Sequence, residues 1–261
     1  MTDPMDEPPP TEEAAILTRP GGTSIAYRKT AGVSPGVIFM GGFMSDMTGT
    51  KACALEAACR DEGRAFIRFD YSGHGESSGA FADGTIGGWT DDAIAILDEV
   101  SDGPQVLVGS SMGGWIMLLV ALVRPLRIAG LVGIASAPDF TEELMWGRFD
   151  DDIRQNLQRT GVYHRPSEYD EDDYPITMKL IEDGRQHLLL ERPIAIHCPV
   201  RLLHGMKDRD VPWTTAPRIA EKLLAEDVRV MIIKDGDHRL SRDQDLLHQR
   251  VTVEELCREV A

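Results

Sequence analysis

The chain has 261 residues and a formal net charge of −16 at pH 7, from 27 basic and 43 acidic side chains. That length suits one α/β domain carrying an insertion and is ample for a sizeable core. So large an acidic excess argues against nucleic acid and anionic membrane surfaces as partners, and no run reaches the ~18 apolar residues of a membrane-spanning helix. Residues 1–13, rich in proline and acids, read as a disordered tail with neither the basic nor the apolar region of a targeting signal. Cys53, Cys59, Cys198 and Cys257 show no paired spacing and read as reduced thiols. The expectation is a cytoplasmic protein without stable membrane insertion.

In chain order, Ala14–Arg19 and Ser24–Arg28 read as strands joined by the turn Pro20-Gly21-Gly22. Gly36–Met40 is a short buried strand that breaks at Gly41-Gly42. A helical pattern follows from Gly49 to Asp61, with Ala52, Leu55, Ala58 and Cys59 on one face. Ala65–Phe69 is the next strand, and Asp70–Gly75 after it shapes a turn. Thr90–Val100 is amphipathic, and Gln105–Val108 is apolar. Ile128–Ile134 is a further strand. From 140 to 192 the texture changes to mixed charge, aromatics and helical spacing, with an acidic cluster at Glu168–Asp173. Strand rhythm resumes at Val200–Leu203 and Val228–Ile233, with helices over Trp213–Ala225 and Asp243–Val260. Strands alternating with helices predict a mostly parallel sheet covered on both faces, preceded by an antiparallel hairpin. Residues 14–139 and 193–261 form the expected core, and 140–192 a cap insertion.

The chemistry centres on Gly109-Ser110-Ser111-Met112-Gly113-Gly114, between the apolar run Val106–Val108 and the apolar helix Trp115–Ala121. Gly109, Ser111 and Gly113 fit G-x-S-x-G, a serine on a strained strand-to-helix turn whose neighbours approach too closely to admit a Cβ. The helix N-terminus beneath it offers backbone N–H groups to a developing negative charge. Ser110 sits one position off the exposed centre and is expected to pack locally. Sites on such sheets lie beyond the carboxyl ends of the strands. After Val200–Leu203 comes His204-Gly205-Met206-Lys207-Asp208, which supplies an acid; after Val228–Ile233 comes Lys234-Asp235-Gly236-Asp237-His238, which supplies a histidine. Ser111, Asp208 and His238 therefore follow the order nucleophile, acid, base. Asp210 is the rival acid, less favoured because it lies farther from the strand end. Asp237 reads as a turn former, and His204 and the remaining histidines as structural or surface residues. Backbone N–H groups of Met112 and Phe43 are the expected oxyanion hole, the latter against the alternative of a plain glycine turn. Met44, Trp115, Met145, Trp146, Phe149, Met178 and Trp213 are candidate substrate-binding residues.

These residues resemble the α/β-hydrolase superfamily of serine esterases and thioesterases, which implies an α/β-hydrolase fold. More narrowly, Gly49–Ala52, Ile67–Gly73, Gly109–Trp115, Cys198–Asp208, Val211–Trp213 and Asp237–Arg239 resemble a mitochondrial branch of its α/β-hydrolase-domain group. That resemblance implies S-depalmitoylation and acyl-glucuronide hydrolysis, with nucleophile, acid and base on Ser111, Asp208 and His238. The expected activity is hydrolysis of carboxylic esters or thioesters through an acyl-enzyme, on a small-molecule or acyl-protein substrate, with neither metal nor organic cofactor. The same three residues would also serve a C–C bond hydrolase or an acyltransferase, and a silent small-ligand binding protein is the reading from another class. The many acids of 140–192 are expected to disfavour an anionic leaving group, and its apolar anchors to favour an acyl chain.

Overall fold

The computed structural model describes residues 13–165 and 173–261. All but the last residue of the expected tail and most of the acidic cluster Glu168–Asp173 lie outside the described residues. β1 (Ala15–Thr18) and β2 (Ser24–Thr30) form an antiparallel hairpin, and β2 also runs antiparallel to β4 (Arg64–Phe69). From β4 onward the neighbours are parallel: β3 (Val33–Met40), β5 (Gln105–Ser110), β6 (Ile128–Ile134), β9 (Val200–Gly205) and β10 (Val228–Ile233). The eight-stranded sheet has the order β1-β2-β4-β3-β5-β6-β9-β10.

The apolar runs are continuous because successive strand side chains face opposite ways and both faces are covered. Val37, Phe39, Val106 and Val108 pack on one side against Leu55 and Cys59 of α1 (Thr50–Asp61) and Val253, Leu256 and Cys257 of α7 (Asp243–Glu259). Ile38, Met40 and Leu107 pack on the other, with α2 (Ile86–Ala95), α3 (Met112–Val123) and Ile219 of α6 (Thr215–Lys222). Every residue of α3 from Met112 to Ala121 is buried. A helix apolar all round is one enclosed by its fold.

Two predicted boundaries shift. The helix read from Thr90 begins at Ile86, because Thr85 caps it by accepting from Gly88 N–H at 3.0 Å. Its C-terminal part, Ile96–Val100, widens into a π-turn. Between β6 and β9 the chain leaves the sheet through α4 (Asp151–Thr160), a separate antiparallel pair β7 (Val162–Arg165) and β8 (Tyr174–Thr177), and α5 (Met178–Gly184). This pair is absent from a reading based on helical spacing, since four-residue strands carry too little periodicity to register. The excursion is tied down by Asp139, whose buried carboxylate accepts from Leu189 and Leu190 N–H, both at 2.8 Å.

Candidate active site

Ser111 stands between β5 and α3 with φ 54° and ψ −117°, a left-handed conformation that a non-glycine residue holds only when its surroundings enforce it. The glycines of the motif show what enforces it. A Cβ on Gly113 would sit 2.1 Å from Met40 O, and one on Gly109 would sit 2.3 Å from Gly113 O. The turn therefore closes with backbone against backbone, lifting the Ser111 side chain to the carboxyl edge of the sheet.

The histidine and the acid arrive at the same edge. His238 follows β10 and Asp208 follows β9. His238 Nε2 lies 3.1 Å from Ser111 Oγ, and His238 Nδ1 lies 2.7 Å from Asp208 Oδ2. Since the carboxylate only accepts, Nδ1 carries the proton, and Nε2 is left to accept from the Ser111 hydroxyl. The Asp208 side chain is wholly buried, whereas that of His238 is 21% exposed. Burial alone would push the Asp208 carboxyl up. Hydrogen bonds from His204 and His238, the charge of His238 and the Val211 N–H outweigh it and hold the group far below the usual carboxylate range. The rival Asp210 instead donates its own N–H to Asp208 Oδ1 at 2.9 Å. Asp237 accepts from Leu240 N–H at 2.9 Å, the turn-forming role read for it.

The loop after β3 carries Phe43, whose N–H is the expected second oxyanion donor. A Cβ on Gly42 would lie 3.4 Å from Ser111 Cβ, so this loop runs alongside Ser111. It is held by the Phe43 ring, which packs edge-on to Phe81, Trp89 and Phe140 at 4.9–6.0 Å. Asp70 adds a second anchor, accepting from Met47 N–H at 2.6 Å and from Glu76 N–H at 2.8 Å. The Met112 N–H opens α3, where no intrahelical acceptor exists for it.

A cavity of about 470 Å³ opens over Ser111 and His238, and Phe43, Met44 and Met145 line it. Trp115, Trp146, Phe149, Met178 and Trp213 do not. Trp115 is buried with its indole N–H on His187 O at 3.1 Å; Trp146 lies beneath the guanidinium groups of Arg154 and Arg185; Phe149 packs on Tyr163. Met178 packs against the core, and Trp213 caps the turn into α6 with its carbonyl on Ala216 N–H. Those five expectations are corrected because none of the five lines the cavity, and the side-chain contacts of Trp115, Trp146, Phe149 and Met178 lie elsewhere. The apolar wall is instead Phe140, Leu144, Ile176 and Val211 with Met145.

A family model described as the alpha/beta hydrolase fold matches residues 37–163. The human mitochondrial palmitoyl-protein thioesterase ABHD10 is 42% identical over 93% of this chain and 79% of its own length. The chain belongs to the α/β-hydrolase family. Two solved structures superpose on this hydrolase with a TM-score of 0.89 at 40% identity: mouse alpha/beta hydrolase domain-containing protein 10, covering 95% of this chain and 99% of that one, and a putative hydrolase from Agrobacterium vitis, covering 94% and 97%. The human, orangutan and bovine relatives are all named as mitochondrial, which overturns the cytoplasmic expectation. That expectation rested on the makeup of residues 1–13, the unpaired cysteines and the lack of a membrane-length apolar run, weaker guides than a relationship spanning most of the chain. Among the described residues no helix is long and apolar enough to cross a membrane.

Basic side chains outnumber acidic ones in the described lining of the cavity. Lys51, Arg148, Arg165, Arg209 and Arg239 line it, against Asp46 and Asp210. Three of the described acids of 140–192 are engaged elsewhere: Glu142 pairs with Arg185, Glu143 with Arg218, and Asp150 caps α4. Burial, then the charge of Arg239, lowers Lys51 to about 8, and its ammonium donates to Arg239 O at 2.6 Å. Sequence reading passed over these cations, although Lys51 in the first turn of α1 opposes the helix dipole and Arg209 and Arg239 adjoin the acid and the histidine. Among the described residues one group, Asp208, Asp210 and His238, brings potential metal-ligand atoms within 4.8 Å of one another. Both Asp208 oxygens already accept hydrogen bonds, so a cation there would displace the His238 contact.

Proposed function

We propose that this hydrolase cleaves carboxylic esters and thioesters through an acyl-enzyme on Ser111, with His238 as base and Asp208 as its orienting acid. The observation that carries the reading is the unbroken relay from Ser111 Oγ through both imidazole nitrogens to a buried carboxylate. His238 Nε2 takes the hydroxyl proton as Ser111 Oγ attacks the acyl carbon, and Asp208 offsets the charge of the imidazolium. The carbonyl oxygen becomes an oxyanion facing the N–H groups of Met112 and Phe43. Collapse breaks the C–O or C–S bond, and the proton on Nε2 passes to the departing alcohol or thiol. Water then repeats the sequence on the acyl-Ser111 ester, releasing the acid.

Residues 140–192 act as the cap over this site, contributing Leu144, Met145 and Ile176 to the acyl wall. The relatives' name, palmitoyl-protein thioesterase, supports a fatty acyl thioester as substrate. The five basic residues at the cavity support a leaving group that carries negative charge, such as the carboxylate of an acyl glucuronide.

The test is fluorophosphonate labelling of wild type and Ser111→Ala, followed by turnover of matched acyl thioesters, neutral esters and esters whose leaving group bears a carboxylate. Labelling and turnover should both disappear in Ser111→Ala while the circular dichroism spectrum is kept. Near wild-type turnover in that variant would remove Ser111 from the reaction. A preference for neutral over carboxylate-bearing leaving groups would refute the charge assignment alone.

A further inference from the structure

His204 is the penultimate residue of β9, inside a run that is otherwise Val200, Arg201, Leu202, Leu203 and Gly205. Its side chain is 0% exposed. Nε2 lies 3.0 Å from Asp208 Oδ2 and 3.2 Å from Val211 O. Both neighbours only accept, so Nε2 carries the proton and His204 donates. Nδ1 is buried and finds no partner among the described residues. A position that merely needed filling would be met more favourably by leucine or phenylalanine, since a buried polar atom without a partner is destabilising. The imidazole is retained at that cost for its one donor.

We infer that His204 is a positioning residue for the proposed triad, locking the Asp208 carboxylate so that Oδ2 stays aimed at His238. This rests on the reading of Ser111, Asp208 and His238 given above. Asp208 Oδ1 is held by the N–H groups of Asp210 and Val211 at 2.9 and 2.8 Å, and those two bonds leave the carboxylate free to tilt about Oδ1. His204 supplies the third point, on the same oxygen that His238 uses. The orientation then survives the step in which His238 gains and loses a proton. His204 does not line the cavity, so its effect falls on kcat and not on substrate affinity.

The test compares His204→Gln, which keeps an N–H donor at about the Nε2 position, with His204→Met, which has similar length and no donor. Rates are expressed per fluorophosphonate-titrated site, so unfolded protein does not enter. His204→Met should lower kcat about 10-fold or more, the worth of one hydrogen bond to a charged group, with KM within about 2-fold. His204→Gln should recover most of it. The downfield proton resonance of His238 Nδ1–H should shift in His204→Met and stay close to wild type in His204→Gln. Wild-type kcat in His204→Met, or equal losses in both variants that track Tm, would overturn the inference. If His204→Met fails to fold, His204→Asn serves, because its amide stands at the Nδ1 position and falls short of Asp208. Loss of kcat there with His204→Gln active upholds the inference, and equal kcat overturns it. Ser111→Ala run alongside separates the two layers: activity there sinks the triad itself, whereas an inactive Ser111→Ala with a fully active His204→Met sinks only the role of His204.

Discussion

Replacing Asp208 by asparagine tests the relay most sharply, because four hydrogen bonds dictate how the amide must sit. Oδ1 accepts from the backbone N–H groups of Asp210 and Val211, and Oδ2 accepts from His204 and His238. The amide oxygen of the introduced asparagine has to face the two fixed backbone donors, since an NH2 group there would meet N–H head-on. The NH2 group is thus turned toward the imidazoles. His238 escapes that clash by moving its proton to Nε2, which then presents a donor to Ser111 Oγ where a base is required. The substitution leaves the geometry nearly intact and removes the base. The corresponding loss in serine proteases is about 10⁴-fold in kcat, or about 5 kcal/mol of barrier. The assay is kcat for a p-nitrophenyl ester at pH 7, normalised to folded protein by circular dichroism. Asp210→Asn provides the contrast, because the hydrogen bond from Asp210 to Asp208 Oδ1 comes from its backbone N–H, which the substitution keeps. A kcat for Asp208→Asn within 10-fold of wild type, or a larger loss in Asp210→Asn, would refute the assignment of the acid.

Gly113→Ala places a methyl group 2.1 Å from Met40 O and 2.5 Å from Gly41 O, both backbone, so Tm should fall sharply, by an amount equivalent to about 3 kcal/mol or more; a thermal melt within ~2 °C of wild type would contradict it. Met145→Ala should alter the dependence of kcat/KM on acyl chain length, because Met145 lines the cavity, whereas Trp146→Ala should leave it unchanged, because that ring stacks under Arg154 and Arg185. A chain-length series on p-nitrophenyl esters decides between them. Lys51 keeps its charge below about pH 8 and loses it above, since burial disfavours the ammonium. KM for an ester with an anionic leaving group should therefore rise as pH passes about 8, while KM for a neutral ester stays level. Lys51→Met should raise the first KM at pH 7 and abolish its pH step; parallel profiles for the two substrates would exclude a role for the charge.

The sheet and the relay were legible because both are written in short-range terms. Unbroken apolar runs at Val37–Met40 and Val106–Val108 announce strands buried on both faces, and backbone sterics at Gly109 and Gly113 announce the turn that carries Ser111. Once parallel strands are inferred, their carboxyl ends share one edge, so the loops after β5, β9 and β10 must converge, and Ser111, Asp208 and His238 with them. What lies over that edge was not legible. Whether an aromatic ring reaches the cavity or the core depends on which partner it meets across long sequence separations. Trp115 meets His187 and Trp146 meets Arg154 and Arg185, while Phe140 and Ile176 turn toward the site. Charge behaves the same way. An acidic composition gives the sign of the whole surface, but Glu142 and Glu143 pair with particular arginines, and the described cavity lining holds Lys51 and four arginines beside Asp46 and Asp210. The donor on Asp208 is the smallest such case: His204 reads as a structural or surface residue until the turn after the strand folds the carboxylate back over its imidazole. Local periodicity and backbone sterics fix the elements and their order, and only the packed chain decides which side chains share a contact, because those contacts join residues that no short stretch of sequence brings together.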